Sequence, residues 1–184
     1  HPSLRIELAA NPAFLSPSRR EVDMAITLSP PPDPRLVVES LTPYQLALYA
    51  SPGYVAREGA PATVADLARR PVVGYVQDLI FAPELRYLDE IAPDLVPALA
   101  SSSIQAQRAI IAADGGVGVL PCFLADGLVR VLPDRVLIER QFWLCTHRDV
   151  QASARMRAVA RWLRALVEGE GARLAPFRSP APAT

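Results

Sequence analysis

SSSIQAQRAIIAADGGVGVLP, Ser101 to Pro121, holds every junction of an α/β unit in one run. Ala98 to Ser102 predicts a strand, Ile104 to Ala113 a helix, and Val117 to Leu120 a second strand closed by Pro121. Three serines stand where the first strand hands over to the helix. Helix N-termini offer unpaired N–H donors and a partial positive charge, and ligands of open α/β sheets settle outside the carboxyl ends of strands. Ser103 is expected to cap the helix, leaving Ser101 or Ser102 to reach a small anion. Asp114-Gly115-Gly116-Val117-Gly118 has the look of a dinucleotide-binding loop, but that loop needs strand, glycines, helix in that order. Here the order is helix, glycines, strand, so the glycines are read as a left-handed helix stop and a tight turn.

Further along the chain, Val129–Leu132 and Gln141–Thr146 read as strands. A final helix from about Ala152 carries Met156, Val159, Ala160, Leu163 and Leu166 on one face and Arg157, Arg161 and Arg164 on the other, ending at Gly169 and Gly171. The arginine stripe is most simply a solvated face. Toward the N-terminus, Val72–Val76 reads as a strand and Asp78 as the cap of a helix reaching Ile91. Thr63 caps a short helix, VADLARR, and Ser51-Pro52-Gly53 is a turn. Leu36–Leu41 and Tyr44–Ala50 read as two strands joined by Thr42-Pro43. Val22–Leu28 and Arg5–Ala10 complete the strands. Asn11-Pro12 has the form of a helix start, with Asn as N-cap and Pro in the first turn. Strands alternating with helices predict an α/β fold with largely parallel sheets.

The chain has 184 residues, 51% of them apolar, enough to bury a core in one large domain or two small lobes. No apolar run approaches the roughly 20 residues of a membrane span. The opening HPSLRIEL has neither a basic nor an apolar signal region, and without an initial Met the chain is expected to be part of a longer protein. All 19 basic residues are Arg, balanced by 19 acidic ones to a formal net charge of zero. That balance, without a basic patch interleaved with aromatics, makes this chain a poor candidate for gripping nucleic acid itself. Two distant cysteines, Cys122 and Cys145, without CxxC spacing, fit a reducing cytosol and buried structural thiols.

Other constellations are weaker. Cys122, Cys145, His147 and Asp149 could be imagined as nucleophile, base and orienting acid. A reactive thiol needs an electropositive, accessible site, and these thiols sit among apolar neighbours. His147 is better read as a capping or hinge residue, and with two histidines in the chain no metal site is expected. Gln77 and Asp78 follow a strand at its carboxyl end. Gln77 is the better ligand contact, with Tyr75 and Phe81 as apolar walls.

RIEL (Arg5–Leu8), EVDMAI (Glu21–Ile26), LYASPGYVA (Leu48–Ala56) and ATVADLARRPVV (Ala62–Val73), with the serine stretch extended through Asp126 and FWLCTHRDVQASARMRAV (Phe142–Val159), occur in an order and spacing that resembles the regulatory domain of LysR-type transcriptional regulators. The resemblance covers nearly the whole chain. It implies an α/β fold of two Rossmann-like lobes of the periplasmic-binding-protein type, joined by two crossover strands. Lobe I would comprise residues 1–50 and 147–184, and lobe II residues 51–146. An effector would bind in the interlobe cleft and alter oligomer geometry, controlling an N-terminal winged helix-turn-helix that contacts promoter DNA. Carried onto this chain, Asn11, Pro12, Ser29, Val76, Gln77 and Ser101–Ser103 (Ser101, Ser102, Ser103) would line the ligand site. Ala50–Ser51 and Thr146–His147 would form the crossings. The chain starts at what resembles the second strand of that domain, so the winged helix-turn-helix and the first strand and helix of lobe I would lie outside it. The implied partners are a small anionic effector, a carboxylate by its site, copies of the same protein in a dimer or tetramer, and promoter DNA through the other domain. No cofactor, metal, membrane or enzymatic activity is implied, and the location is cytoplasmic. A transporter's solute-binding protein of the same architecture is the alternative.

Overall fold

Leu36 to Ala50 form one strand of 15 residues, β2, running straight through Thr42-Pro43 where the sequence predicts a break. Proline is tolerated in a strand where its missing N–H has no ladder bond to make, and Pro43 is exposed. The strand changes character at that point. Leu36–Leu41 is mostly half-buried, whereas every residue from Tyr44 to Ala50 is buried. The second long strand, β7, spans Ile138–His147 and neighbours β2. The computed structural model describes residues 4–10, 17–19 and 21–177. Asn11 and Pro12, expected at the ligand site, lie outside the described residues.

Chain contacts divide the protein into two units. The first comprises residues 1–43 and 141–171, the second residues 44–140 and 172–184. The sequence expectation put the crossings at the ends of the two long strands, Ala50–Ser51 and Thr146–His147. The division falls inside those strands instead, and the chain returns to the second unit after Gly171.

In the first unit, β1 (Met24–Thr27) pairs antiparallel with β7, Met24 opposite Thr146 and Thr27 opposite Trp143. The Cys145 thiol is fully buried at this pairing, 3.4 Å from Thr27 Oγ1. Two helices follow β7, α4 (Arg148–Gln151) and α5 (Ala154–Gly169). Ser153 caps α5, its hydroxyl accepting Met156 N–H at 3.3 Å. Met156 is buried, Val159, Ala160 and Leu163 are half-buried, and Leu166 is exposed. Salt bridges hold the polar side, from Arg155 to Asp23 and from Arg164 to Glu39. The strand expected over Arg5–Ala10 does not form among the described residues; Ile6 and Leu8 are exposed. Alternation makes a strand only where a neighbour accepts its ladder bonds.

In the second unit the order is β2, then β5 (Val117–Pro121), β3 (Val72–Gly74) and β4 (Leu99–Ala100), with β6 (Val129–Val131) also on β2. β3 is parallel to both β4 and β5, while β2 is antiparallel to β5 and β6. The sheet is therefore mixed rather than largely parallel. The helices between its strands are α1 (Pro52–Glu58), α2 (Tyr87–Ile91) and α3 (Ile104–Ala112). Ala47, Tyr49, Val73, Ile111, Leu120, Cys122 and Ala125 form its core. Ser51-Pro52-Gly53, expected as a plain turn, opens α1, with Ser51 as N-cap and proline in the first turn. The helix expected from Asp78 to Ile91 divides into 3-10 turns at Gln77–Leu79 and Pro83–Leu85 followed by α2. Pro83 disfavours helical geometry in the residue before it, and Ala82 is extended at φ −137°, ψ 131°. The chain ends its described course with a last helical turn, α6 (Gly171–Leu174), leading to Phe177.

Candidate functional site

β3 and β4 are neighbouring parallel strands, and the segments leaving their carboxyl ends carry the polar residues singled out from the sequence. Ser101 N–H donates to Gly74 O at 3.0 Å, which seats the serine run beside the end of β3. Ser103 caps α3, with its hydroxyl accepting Ala106 N–H at 3.4 Å. Ser101 Oγ accepts Ser103 N–H at 3.1 Å. Its own hydroxyl proton remains free to donate, because an accepting hydroxyl keeps its donor. Ser102 and Ser103 are exposed, and Ser101 is half-buried.

Gln107 keeps this turn in place. It is 1% exposed, and its Nε2 donates to Ser101 O at 2.8 Å. Sequence reasoning misses this residue, although it falls on the same helical face as Ile104 and Ile111. A polar residue on an apolar stripe is the signal that marks a buried hydrogen bond, since burial without a partner is costly.

Val76 and Gln77 follow β3. Val76 precedes the 3-10 turn Gln77–Leu79, and the exposed Gln77 accepts a long contact of 3.5 Å from Arg86 Nη1. Beneath them lies a narrow cavity of about 10 Å³, lined by Tyr75, Gln77, Ile80, Arg86, Tyr87 and Gln107 among others. That volume holds about one water. Tyr75 and Tyr87 pack edge to face there, centroids 5.9 Å apart. Burial pushes both phenols above their ordinary range, so both are neutral hydrogen-bonding groups at physiological pH. Phe81 and Leu79, in the same loop, are half or more exposed.

The structure thus brings Val76–Gln77 and Ser101–Ser103 together in one unit. Ser29, Thr146 and His147 belong to the other unit, where Ser29 O accepts Thr27 Oγ1–H at 2.8 Å. His147 does cap a helix: its Nδ1 accepts Asp149 N–H at 3.2 Å at the start of α4. Ala50 and Ser51 are both buried.

The thiol candidates lack the electropositive, accessible setting of a nucleophile. Both thiols are buried and burial raises them above the ordinary thiol range, opposite to what a nucleophile needs. Among the described residues no group of His, Cys, Asp and Glu is placed to hold a metal ion, and no helix is long and apolar enough to cross a membrane. The Asp114–Gly118 loop is a structural turn, with one correction. The positive-φ residues are Asp114, at φ 63°, and Gly116, at φ 139°, and Gly115 is not among them. Aspartate enters that region more readily than most residues.

Residues 1–168 match the family model of the LysR substrate binding domain. The fold is similar to that of the regulatory domain of CrgA, a LysR-type transcriptional regulator from Neisseria meningitidis, at a TM-score of 0.70 and 22% identity over 81% of this chain and 77% of that one. Full-length CrgA aligns at 0.77 and 22% identity over 90% of this chain and 59% of that one. Full-length AphB, the Vibrio cholerae virulence activator, aligns at 0.64 and 22% over 84% and 55%. This chain therefore spans less than two thirds of those two full-length regulators. No curated protein sequence is significantly similar to it. The fold class is α/β, of the two-lobed periplasmic-binding-protein type.

Proposed function

Because this chain belongs to the LysR substrate-binding domain family, we propose that it senses a small anionic effector, a carboxylate, on the Ser101–Ser103 face of the second unit. It is the effector-binding part of a LysR-type regulator rather than a transporter's solute-binding protein, the reading family membership favours. The observation that supports the site is the turn after β4. The Ser101 hydroxyl proton, the exposed Ser102 and the start of α3 stand together at the carboxyl ends of two adjacent parallel strands, held by buried Gln107. Free N–H groups and the helix field favour negative charge there.

The effector acts by binding one arrangement of the protein more tightly than another, since only differential affinity shifts a population. The readout is an oligomer whose geometry sets how a winged helix-turn-helix, outside this chain, meets promoter DNA. The protein works in the cytoplasm and catalyses no reaction; its buried, proton-retaining thiols support that reading.

A thermal-shift screen of small carboxylates and amino acids identifies the effector through a melting point that rises with ligand concentration. Ser101→Ala with Ser102→Ala is then expected to weaken calorimetric affinity by about 10-fold or more, the loss of one or two hydrogen bonds to a charged group, without unfolding the protein. Unchanged affinity sinks the site.

A further inference from the structure

Gln45 is a polar side chain buried to 3% exposure in the most apolar stretch of β2, and both ends of its amide are spent on one residue. Its Oε1 accepts Phe177 N–H at 2.9 Å, and its Nε2 donates to Phe177 O at 2.8 Å. A second Nε2 contact, at 3.2 Å, goes to Glu139 Oε1. The amide thus reads the backbone of Phe177 as a neighbouring strand would, indifferent to the side chain.

The side chain of Phe177 is read separately. Its ring lies 3.8 Å under the Arg130 guanidinium carbon. Arg130 Nη2 donates to Pro133 O at 2.8 Å, while its buried Nε has no hydrogen-bond partner. The ring thus lies over a guanidinium whose buried Nε no acceptor serves, and cation–π attraction is favourable where such a pair is desolvated. Phe177 also packs against the core cluster containing Tyr49, Cys122 and Ala125. Nearby Leu174 is buried, and Arg173 pairs with Asp126 at 3.2 Å.

We infer that the second unit carries a docking groove for a C-terminal segment bearing an aromatic residue, built from Gln45, Arg130 and the Cys122–Leu128 surface, and that the chain's own Ala172–Phe177, the end of a helical turn followed by non-helical chain, occupies it in cis. A buried amide that holds both the N–H and the C=O of Phe177 recognises that residue through its backbone, as peptide-binding sites do. The occupant is joined to the rest of the chain, so it docks at the high effective concentration of a short tether. Docked, it shields Cys122; undocked, it leaves an aromatic-sized gap beside that thiol.

The test is thiol labelling of the whole protein, read residue by residue, with Cys145 in the other unit as internal control. Phe177→Ala is expected to speed Cys122 labelling by about 10-fold or more with Cys145 unchanged, and Phe177→Tyr to restore the slow rate. The peptide of sequence GARLAPF, Gly171 to Phe177, added at on the order of millimolar concentration, is expected to slow Cys122 labelling again in Phe177→Ala. The same peptide with alanine in place of its phenylalanine is expected to have no effect. Unchanged Cys122 labelling, or equal effects of the two peptides, overturns the inference. If Phe177→Ala unfolds and both thiols react, hydrogen exchange in the unaltered chain decides. A Phe177 amide protected like those of β5 supports docking, and one exchanging like a free tail overturns it.

Discussion

Ser51 and Asp114 are joined across 63 residues of sequence: the Ser51 hydroxyl donates to Asp114 Oδ1 while accepting Tyr54 N–H at 2.9 Å. One oxygen thus caps α1 and ties it to the turn that ends α3. Arg57 closes the group from the same helix, its Nη1 3.5 Å from Asp114 Oδ2. Ser51→Ala removes cap and tie together and is expected to cost about 1–2 kcal/mol, measured by denaturant unfolding. Gly53→Ala places a Cβ 2.7 Å from Asp114 Oδ2 and is expected to destabilise by about 1 kcal/mol. Asp114→Asn, which keeps both an acceptor and tolerance of positive φ, is expected to be milder than Asp114→Val.

Two glycines near the ends of helices make opposite predictions. Gly116 has φ +139°, and a Cβ there meets Pro71 O at 2.2 Å, the same carbonyl that accepts Val117 N–H. Gly116→Ala is expected to cost about 3 kcal/mol or more, combining backbone strain with a clash against immobile backbone. At Gly171 an added methyl would meet nothing within 4 Å, and φ is not positive. Gly171→Ala is expected to stabilise by about 0.5 kcal/mol through the unfolded state. Equal melting points for the two variants contradict the assigned turn.

Alkaline titration reports on the tyrosines. Burial raises Tyr44 to about 12 and pushes Tyr49, Tyr75 and Tyr87 upward as well, four of the five in the chain. The folded state holds these protons more tightly than the unfolded state does. The stabilisation is complete below pH of about 10, the unfolded value, and is lost as pH rises toward 12. Phenolate absorbance is expected to appear together with loss of near-ultraviolet dichroism. Ionisation of most tyrosines near pH 10 with the fold intact refutes the burial.

Helix α5 tests the amphipathic pattern directly. Met156 is buried and Leu166 is 46% exposed, although both fall on the apolar face predicted from spacing. Met156→Ala is expected to cost about 2–3 kcal/mol, and Leu166→Ala less than about 1 kcal/mol. A similar loss at both positions means the far end of α5 is packed as well as its start.

How far residue order reaches is visible at particular places. Helix α3, its Ser103 cap, strand β5 and the DGG turn were legible because each depends on neighbours within a turn or two. The family resemblance rested on the same kind of ordered local text. Helix limits were less legible where a proline intervened, as between Asp78 and Ile91, and where one was tolerated, as at Pro43 in β2. Gln107 could have been found as a polar residue on an apolar helical stripe. Gln45 carried no such mark, because its partner lies 132 residues away.

The sequence alone determined the α/β class and the serine-capped start of α3. These follow from short-range hydrogen bonding, sterics and residue type, which travel with the local chain. Tertiary structure alone decided that the serine turn is seated on Gly74 at the end of β3, that Asp114 answers Ser51, and that Phe177 returns to Gln45. Such pairings depend on which strands become neighbours and which polar groups are then buried. That is settled by packing and hydrogen-bond satisfaction over the whole fold.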